Sequence, residues 1–332
     1  MDVNKNEFLL PNMIKDKVDT NNQEIFRYSI TTSDVLIART SETIKEIAYS
    51  SCLLENIANC TYSGFLLKAS PKIKNIIFPP YIVLLLRSQI YRKRLMKLST
   101  ETSRALINSD NLAKLIIIIP KFEEQKKIWL FFNLLLKKIT ITEQKIETLK
   151  KYKEGLVNQV ILPLFKNETL SLNDACKITT GKLDANAMAK DGKYKFFTCS
   201  RGDFFINKYA FDCEALLISG NGEVGLSKYY KGKFNAYQRT YVLYDFKIDA
   251  TFIKLCFDAQ INSVIKEETN KGAMPYIRLS SFSKIKIPQI SNSKVNMISC
   301  VFKTIDLKIK DEENALCNIK KIKQYFLENM FI

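Results

Sequence analysis

Residues 122–160 read FEEQKKIWLFFNLLLKKITITEQKIETLKKYKEGLVNQV, and residues 292–330 read NSKVNMISCVFKTIDLKIKDEENALCNIKKIKQYFLENM. These two stretches decide the fold. In each, apolar residues recur at the 3.5-residue period of a coiled-coil helix. The second series, Ile298 to Met330, repeats the first, Ile128 to Val160, 170 positions later, and its polar interruptions fall at the same places. One long helix is therefore written twice in this chain.

The apolar series predicts which residues pair the two helices. The pairing positions are Ile128, Leu135, Ile139, Ile146 and Leu149 in the first helix, and Ile298, Ile305, Ile309, Leu316 and Ile319 in the second. Each helix has about 35–40 residues and so a length of roughly 50–60 Å. An isolated helix cannot bury such a seam. We expect the two copies to pair antiparallel within the chain; two unrelated helices in separate homodimers are the alternative.

The repeat extends upstream of each long helix. A helix predicted over 81–97, opened by Pro79 and Pro80, matches the apolar pattern of 251–267. A polar turn at 99–104 is matched by 269–274, and a strand-like run at 115–119 by 285–287; a proline follows each run. Further upstream the register drifts by about ten residues, so that the run beginning at Asp34 resembles the one beginning at Glu214.

These patterns predict an α+β fold. Two mixed α/β lobes are separated by two long helices that form an antiparallel coiled coil, and the whole has a pseudo-twofold internal repeat. The predicted domains are a first lobe at 1–120, a first helical spacer at 121–163, a second lobe at 164–290 and a second helical spacer at 291–332. The segment 170–250 is rich in Tyr, Phe, Thr and Gly, which is typical of a β-rich lobe.

Composition indicates the class of partner. The chain has 332 residues, a formal net charge of +17 and a pI of about 9.4. This excess favours a polyanion, nucleic acid first and an anionic membrane surface second, over a charge that serves solubility alone. The N-terminus has no apolar core of signal-peptide length, and no apolar stretch is long enough to span a bilayer. We expect a cytoplasmic protein without a membrane contact.

Cysteine and histidine usage bounds the chemistry. The eight cysteines form no CxxC pair and are typical of reduced, mostly buried thiols of a cytosolic protein. Histidine is absent, which removes the commonest general base and the commonest metal ligand. The chain also contains no P-loop and no pattern of metal ligands. We therefore expect a non-catalytic protein that binds no metal or cofactor of its own.

Two motifs suggest other chemistry and fail on inspection. Residues 220–225, GNGEVG, match the dinucleotide fingerprint GxGxxG, but the residues that follow predict a strand where that fold needs a helix. We expect a glycine-rich turn between strands that presents Lys228, Lys231 and Lys233. Residues 78–81, FPPY, resemble the Asn/Asp-Pro-Pro-Tyr loop of adenine methyltransferases, but Phe78 cannot accept a hydrogen bond from the target amino group.

Basic and polar residues in the loops of both lobes are the candidate DNA contacts. Arg, Lys and Gln have the donors that read base edges, and Lys also holds phosphates. In the first lobe the candidates are Arg39, Thr40, Ser41, Arg87, Gln89, Arg92, Lys93 and the neighbouring Arg94; in the second they are Arg201, Lys228, Lys231, Lys233, Gln238 and Arg239. A surface cation without a partner is the alternative for any single residue, but the set favours contact with DNA.

Particular segments resemble a known family. Residues 117–128, IIIPKFEEQKKI, and 150–161, KKYKEGLVNQVI, resemble the conserved region of the specificity subunits of type I restriction–modification systems. Residues 34–43, DVLIARTSET, resemble a stretch of their target-recognition domains, and 237–240, YQRT, does so more loosely. Two differences stand out. Only about thirty residues precede Asp34, which indicates a shortened first domain, and 291–295, SNSKV, has diverged from 122–126, FEEQK.

The resemblance implies a function. In that family each of two recognition domains reads one half of a split, asymmetric double-stranded DNA site, and paired helices set the gap between the halves. Two modification subunits methylate adenine with S-adenosylmethionine, and restriction subunits use ATP and Mg²⁺ for translocation and cleavage. The specificity subunit is not catalytic. The alternatives are a coiled-coil scaffold or adaptor for RNA or an acidic protein, and a non-functional reservoir for recombination between recognition domains.

Overall fold

The computed structural model describes residues 2–14, 16–73, 75–268 and 276–331. The helices are α1 (Asp2–Lys5), α2 (Asn22–Tyr28), α3 (Pro79–Arg87), α4 (Gln89–Leu98), α5 (Ser109–Ala113), α6 (Phe122–Leu156), α7 (Leu172–Ala175), α8 (Ala250–Glu268) and α9 (Asn292–Asn329). The strands are β1 (Phe8–Leu9), β2 (Val35–Ala38), β3 (Thr40–Ser41), β4 (Ser50–Leu53), β5 (Leu66–Ala69), β6 (Thr100–Glu101), β7 (Ala105–Leu106), β8 (Thr169–Ser171), β9 (Lys177–Thr180), β10 (Tyr194–Phe197), β11 (Phe204–Ile206), β12 (Phe211–Ser219), β13 (Ser227–Ala236), β14 (Thr240–Tyr244) and β15 (Lys286–Pro288). The polar turn predicted at 269–274 lies outside the described residues.

The chain divides into two compact units. Unit 1 comprises residues 1–143 and 314–332, and unit 2 comprises residues 144–313. Each unit thus combines one lobe with part of α6 and part of α9. The division into four domains at 120, 163 and 290 stays a prediction, because the units are divided within the long helices.

Unit 1 is built around α3, in which every residue from Pro79 to Leu86 is buried. Its sheets have the strand orders β1-β4-β2-β5 and β3-β7-β6. The side chains of α3 share an apolar core with β2 and with Phe132 and Phe331. Pro79 and Pro80 open α3 as predicted, since proline at the first helical positions has no amide hydrogen to lose.

Two sequence predictions in unit 1 were wrong. The single helix over 81–97 breaks at Ser88, whose extended backbone (φ −66°, ψ 154°) and whose Oγ–H···O bond to Leu85 (2.7 Å) end α3. Residues 115–119 form no strand; Ile118 N–H instead donates to Tyr91 Oη at 3.0 Å. The matching run in unit 2 does form β15, because β8 is there to pair with it.

Unit 2 contains a six-stranded sheet in the order β11-β10-β13-β12-β14-β9, with β15-β8 as a separate pair. The long hairpin β12–β13 and the strand β14 lie at its centre. Phe252 and Phe257 of α8 are fully buried, in a core that also contains Ile298 and Phe302 of α9. The β-rich character predicted for 170–250 is confirmed by this sheet.

The two lobes differ in length between their first strands. Residues 2–5 of α1 correspond to residues 172–175 of α7, an offset of 170. At the same offset, β1 corresponds to part of β9. The run Val35–Ala38 of β2, however, corresponds to 215–218 of β12, an offset of 180. The ten-residue drift seen in the sequence therefore falls between β1 and β2.

Within each unit the segments of α6 and α9 run antiparallel. In unit 1 the Phe131 and Phe326 rings lie 4.9 Å apart, and Glu143 pairs with Lys320 at 2.7 Å. In unit 2 Lys150 Nζ lies 2.7 Å from Glu313, and Lys153 Nζ lies 2.5 Å from Asp306. In both units, therefore, residues later in α6 contact residues earlier in α9.

Every predicted pairing position of the two helices is buried or half-buried. Ile146, Ile298, Ile305 and Ile309 are buried, whereas Ile128, Leu135, Ile139, Leu149, Leu316 and Ile319 are half-buried. One member of the series fails: Met330 is exposed, and Leu327 and Phe331 are buried in its place. A helix of 3.6 residues per turn drifts from a 3.5-residue repeat, and the drift accumulates toward its end.

Candidate nucleic-acid interface

The glycine-rich stretch 220–225 is a turn between β12 and β13, as the sequence predicted. Gly222 and Gly225 have φ values of +61° and +80°, which side-chain-bearing residues rarely adopt. The strand β13, and no helix, follows this turn, so residues 220–225 do not form a dinucleotide-binding motif.

The backbone of Gly220 joins two loops. Its N–H donates to the carbonyl of Arg239 at 2.9 Å, and its carbonyl accepts from Ile277 N–H at 3.0 Å. The same Ile277 offers its own carbonyl to Tyr241 Oη at 3.0 Å. The loop before β14 and the segment after α8, which are distant in sequence, are thereby held on either side of one turn.

These two loops and the turn enclose a cavity of about 370 Å³, which we call the Arg239–Arg278 pocket. It is lined by Thr180, Gly220, Asn221, Gln238, Arg239, Tyr241, Tyr276, Ile277, Arg278 and Leu279. Among the described residues, this lining contains two arginines and no carboxylate, so it carries positive charge. Predicted contacts Gln238 and Arg239 both line it and are both exposed.

The sequence analysis did not select Asn221, Tyr276 or Arg278, which are polar residues of this lining. The Arg278 guanidinium lies over the Tyr276 ring, 4.9 Å from its centroid, and also donates to Tyr276 Oη. Arg278 N–H donates to Ser281 Oγ at 3.0 Å, which fixes the backbone beside the pocket. Tyr276 and Arg278 reach the pocket because Ile277 is hydrogen-bonded to Gly220 and Tyr241, which are distant in sequence, so no local sequence signal marks them.

Gln238 is oriented by the segment that follows β9. Its Nε2 donates to Asp184 Oδ1 at 2.7 Å, and its backbone N–H donates to the Leu183 carbonyl at 2.8 Å. The side-chain carbonyl oxygen of Gln238 has no partner among the described contacts. Gln238 can therefore present an acceptor to a ligand while its amide nitrogen stays engaged.

The remaining basic residues predicted in the second lobe lie outside the pocket. Arg201 pairs with Glu223 (Nε–Oε2 2.6 Å) and lines a separate depression beside Lys254 and Asp258. Lys228 donates to the Ser200 carbonyl at 2.8 Å, and burial lowers the pKa of its ammonium group. The prediction that the turn presents Lys228 is therefore corrected: its ammonium group is engaged by the protein.

Lys231 and Lys233 are exposed on β13. They stand opposite Glu214 and Asp212 of β12, toward the end of the hairpin remote from the Gly220 turn. Lys233 Nζ lies 4.8 Å from the centroid of the Tyr209 ring. The turn therefore does not present these two lysines beside the pocket, but both remain open to a polyanion.

In the first lobe the structure removes two arginines from the predicted DNA contacts. Arg87 donates to the carbonyls of Ser50 (2.8 Å), Val3 (2.9 Å) and Asn6 (3.3 Å), and burial lowers the pKa of its guanidinium. Arg92 donates to the Lys45 carbonyl at 2.9 Å, and burial lowers its pKa as well. We correct both predictions, because these guanidinium groups hold the lobe together.

Tyr49 lies against both of these arginines, and Ser41 is buried in the same lobe. The guanidinium groups of Arg87 and Arg92 lie 4.9 and 4.7 Å from the centroid of the Tyr49 ring. Ser41 is buried, and its Oγ accepts from Thr43 N–H at 3.4 Å. Ser41 therefore serves its own turn, and the prediction that it contacts DNA is corrected too.

Other predicted residues of the first lobe remain on the surface. Arg39 is exposed between β2 and β3, and Thr40 beside it is half-buried. Gln89, Lys93 and Arg94 are exposed along α4. These predicted contacts of unit 1 stay available to a polyanion.

Other features bear on alternative functions. Within the described residues no three His, Cys, Asp or Glu side chains are grouped to hold a metal ion. No described helix is long and apolar enough to span a bilayer. All eight cysteines are free thiols, but only Cys52, Cys176, Cys199 and Cys256 are buried, fewer than the sequence predicted; Cys300 and Cys317 are exposed.

Comparison with known families decides the identity. The family described as "Type I restriction modification DNA specificity domain" matches residues 2–151 and again residues 166–314. The chain belongs to this specificity-domain family. The resemblance noted at 117–128 and 150–161 is thus confirmed, and the α+β chain contains two specificity domains. Specificity subunits of type I systems are non-catalytic proteins that recognise DNA targets.

The relatives that this chain resembles are specificity subunits. The type I restriction enzyme EcoDI specificity subunit of Escherichia coli is 37% identical over 159 residues, which are 48% of this chain and 35% of that protein. The match thus spans about a third of that relative. The S subunit of a type I restriction–modification system from M. genitalium has a similar structure (TM-score 0.67, 14% identity, covering 92% of this chain and 84% of that one).

A second solved structure shares the fold of the specificity-domain protein. It comes from work on complex assembly and conformational transition of the type I restriction–modification system. Its TM-score is 0.53 at 15% identity, and the alignment covers 90% of this chain and 81% of that one. At these identities the two structures support the fold alone.

Proposed function

We propose that this protein is the DNA-specificity subunit of a type I restriction–modification complex and reads a bipartite, asymmetric DNA site. The observation that carries the proposal is the double match to the specificity domain, one in each half of the chain. Two different readers in one chain suit two different half-sites. The loops of the lobes differ, as different half-sites require.

The chemistry of binding follows from charge and donors. The net charge of +17 supplies affinity for phosphates that weakens as salt rises. The exposed Arg39, Gln89 and Lys93 face DNA from the first lobe, and Gln238 and Arg239 from the second. We propose that α6 and α9 pair as an antiparallel coiled coil related by a pseudo-twofold repeat, and that this rod fixes the gap between half-sites.

Catalysis belongs to partners in this proposal. Two modification subunits bind the protein and methylate adenine with S-adenosylmethionine, and restriction subunits add cleavage with ATP and Mg²⁺. The complex works in the cytoplasm, where the chromosome and incoming DNA are found. This chain supplies the sequence information and the scaffold.

A methylome measurement tests the function. Co-expression with a cognate modification subunit is expected to methylate adenines in a two-part motif. In the complex, Gln238→Ala combined with Arg239→Ala should relax one half of that motif, because both side chains line one pocket of one lobe. Each lost bidentate base contact corresponds to about 1–3 kcal/mol of discrimination. The readout is single-molecule sequencing of methylated host DNA.

The controls separate the outcomes. An assembled wild-type complex that methylates no split motif would refute the proposal, and would favour a scaffold that binds RNA or an acidic protein. Equal loss at both halves in the double variant would show that Gln238 and Arg239 support folding or assembly.

One face of α6 suits the modification subunits. Leu130, Leu134 and Ile141 of unit 1 are 52, 58 and 59% exposed. At 100° per residue they lie within about 40° of one another, on the side of α6 opposite Phe132 and Ile139. An exposed apolar stripe on a helix is a typical contact for a partner helix. We propose that a modification subunit covers it.

Introducing a negative charge into this apolar stripe tests the proposed contact with the modification subunit. Leu134→Glu is expected to weaken the complex with the modification subunit at least tenfold, since a carboxylate would be buried without a counter-charge. Thr140→Glu is the matched control: it puts the same charge on an exposed position about 100° from Ile141. Sedimentation of the purified subunits measures both. Equal effects of the two variants would contradict the proposed contact.

A further inference from the structure

We infer that the Arg239–Arg278 pocket reads a guanine–cytosine base pair in the half-site of the second lobe, with Arg278 as a specificity-determining residue. The inference rests on the proposed function. It adds a residue that the sequence did not single out and a base pair that the pocket's chemistry selects.

The first argument is the set of donors. Guanine presents two acceptors, N7 and O6, in the major groove, and an arginine fork binds both at once. Arg239 and Arg278 are exposed, and neither makes an ion pair with a carboxylate among the described residues. Arg201, by contrast, already has Glu223 as its partner. The pocket therefore offers two guanidinium groups whose charge is not neutralised.

The second argument is an acceptor without a donor. Asn221 lines the same pocket, and its Oδ1 is covered by the protein without a hydrogen-bond partner in the described structure. A covered carbonyl oxygen without a partner is costly, so a donor that reaches it is favoured. Cytosine carries an N4 amino group on the groove edge beside its guanine. In the proposed complex the Asn221 side chain rotates so that its Oδ1 accepts from cytosine N4, while an arginine donates to guanine of the same pair.

An adenine–thymine pair fits this set less well. It presents a single purine acceptor, N7, next to the N6 amino group, and the thymine methyl group faces the groove. A guanidinium placed for N7 and O6 would meet the adenine N6–H₂ donor, and two donors repel. The pocket thus discriminates against adenine at the position of guanine.

The third argument is the fixed placement of the two arginines. The Gly220 backbone binds the carbonyl of Arg239 and the N–H of Ile277, at 2.9 and 3.0 Å. The Arg278 side chain rests on the Tyr276 ring, and Ser281 holds its backbone. Because both segments are anchored to one turn, the backbones from which Arg239 and Arg278 extend are held on the two sides of the same pocket.

The test uses the complete complex with its modification subunit. Arg278→Ala is expected to relax one guanine position of the second lobe's half-site, with a tenfold to hundredfold loss of discrimination there and no change in the other half-site. Arg278→Lys should restore affinity but not full discrimination, because lysine has no planar fork. Lys247→Ala is the control: Lys247 is an exposed cation of the same lobe that does not line the pocket and is not a predicted DNA contact, so the motif should stay unchanged. Methylome sequencing and competition between duplexes that differ at one base pair give the readouts.

Each contrary result has a distinct meaning. A uniform loss across sequences, with the slope of log affinity against log salt reduced by about one, would assign Arg278 to a phosphate and overturn base reading. An unchanged motif, or relaxation at a position occupied by adenine or thymine, would overturn it as well. A wild-type complex that recognises no split motif would refute the proposed function itself. Unchanged circular dichroism shows that each variant is folded.

Discussion

Phe132→Ala and Phe302→Ala should each lower the free energy of unfolding by about 3–5 kcal/mol, but in different parts of the molecule. The two residues occupy the same place in the repeated helix, 170 positions apart. Phe132 is fully buried in the core of unit 1, and Phe302 is 1% exposed in the core of unit 2. Truncation of either ring leaves a cavity in its own core.

The single tryptophan distinguishes the two variants. Trp129 belongs to unit 1, and its ring lies 5.5 Å from that of Phe78. Phe132→Ala should therefore move the urea midpoint of the Trp129 fluorescence transition to lower concentration. Phe302→Ala should lower the stability of unit 2, which is followed by circular dichroism of the strand-rich lobe.

An exposed residue on the same helix provides the control. Leu134→Ala removes apolar atoms from a side chain that is 58% exposed, so the isolated protein should lose less than about 1 kcal/mol. If Phe132→Ala were no more destabilising than Leu134→Ala, the Phe132 ring would not contribute to the stability of the core of unit 1.

Gly220→Ala should weaken recognition of one half-site about tenfold or more. A Cβ atom at this position would lie 2.7 Å from the carbonyl oxygen of Arg239 and 3.0 Å from the ring of Tyr241. Contacts of 2.7 Å to backbone atoms are not tolerated, so the turn or the loop before β14 must move. That movement separates the two anchored segments and displaces Arg239 from Arg278.

Gly155→Ala is the matched control for the glycine substitution. Gly155 lies in α6, and a Cβ built there meets nothing within 4 Å. Alanine should stabilise this helix by about 0.5–1 kcal/mol and leave DNA reading unchanged. Filter binding to duplexes mutated in either half-site measures the effect. Equal weakening at both half-sites in Gly220→Ala would contradict a local role for the turn.

Much of the secondary structure follows from local pattern. The seam of α6 and α9 is visible because a helix that buries one side must repeat apolar residues every three to four positions. The start of α3 at Pro79 and the turn at 220–225 follow from the backbone preferences of proline and glycine. These features depend on neighbours in sequence, so they are written locally.

Other elements depended on contacts that sequence does not show. The apolar run at 115–119 resembles a strand as closely as 285–287 does, yet only the latter finds β8 as a partner. The same limit applies to charge: Arg87 and Arg39 look alike in sequence. Arg87 meets three backbone carbonyls inside the lobe, whereas Arg39 faces solvent.

The sequence by itself determined the repeated long helix, the two-lobed α+β organisation, the basic character and the family, because these depend on periodicity, composition and short motifs. Tertiary structure alone decided which cations are free to act. It engaged the half-buried guanidinium groups of Arg87 and Arg92 with backbone carbonyls, and it brought Arg278 beside Arg239 through the backbone of Gly220. Burial and hydrogen bonding between distant segments set the availability of a charge, and neither is encoded in the residue's own neighbourhood.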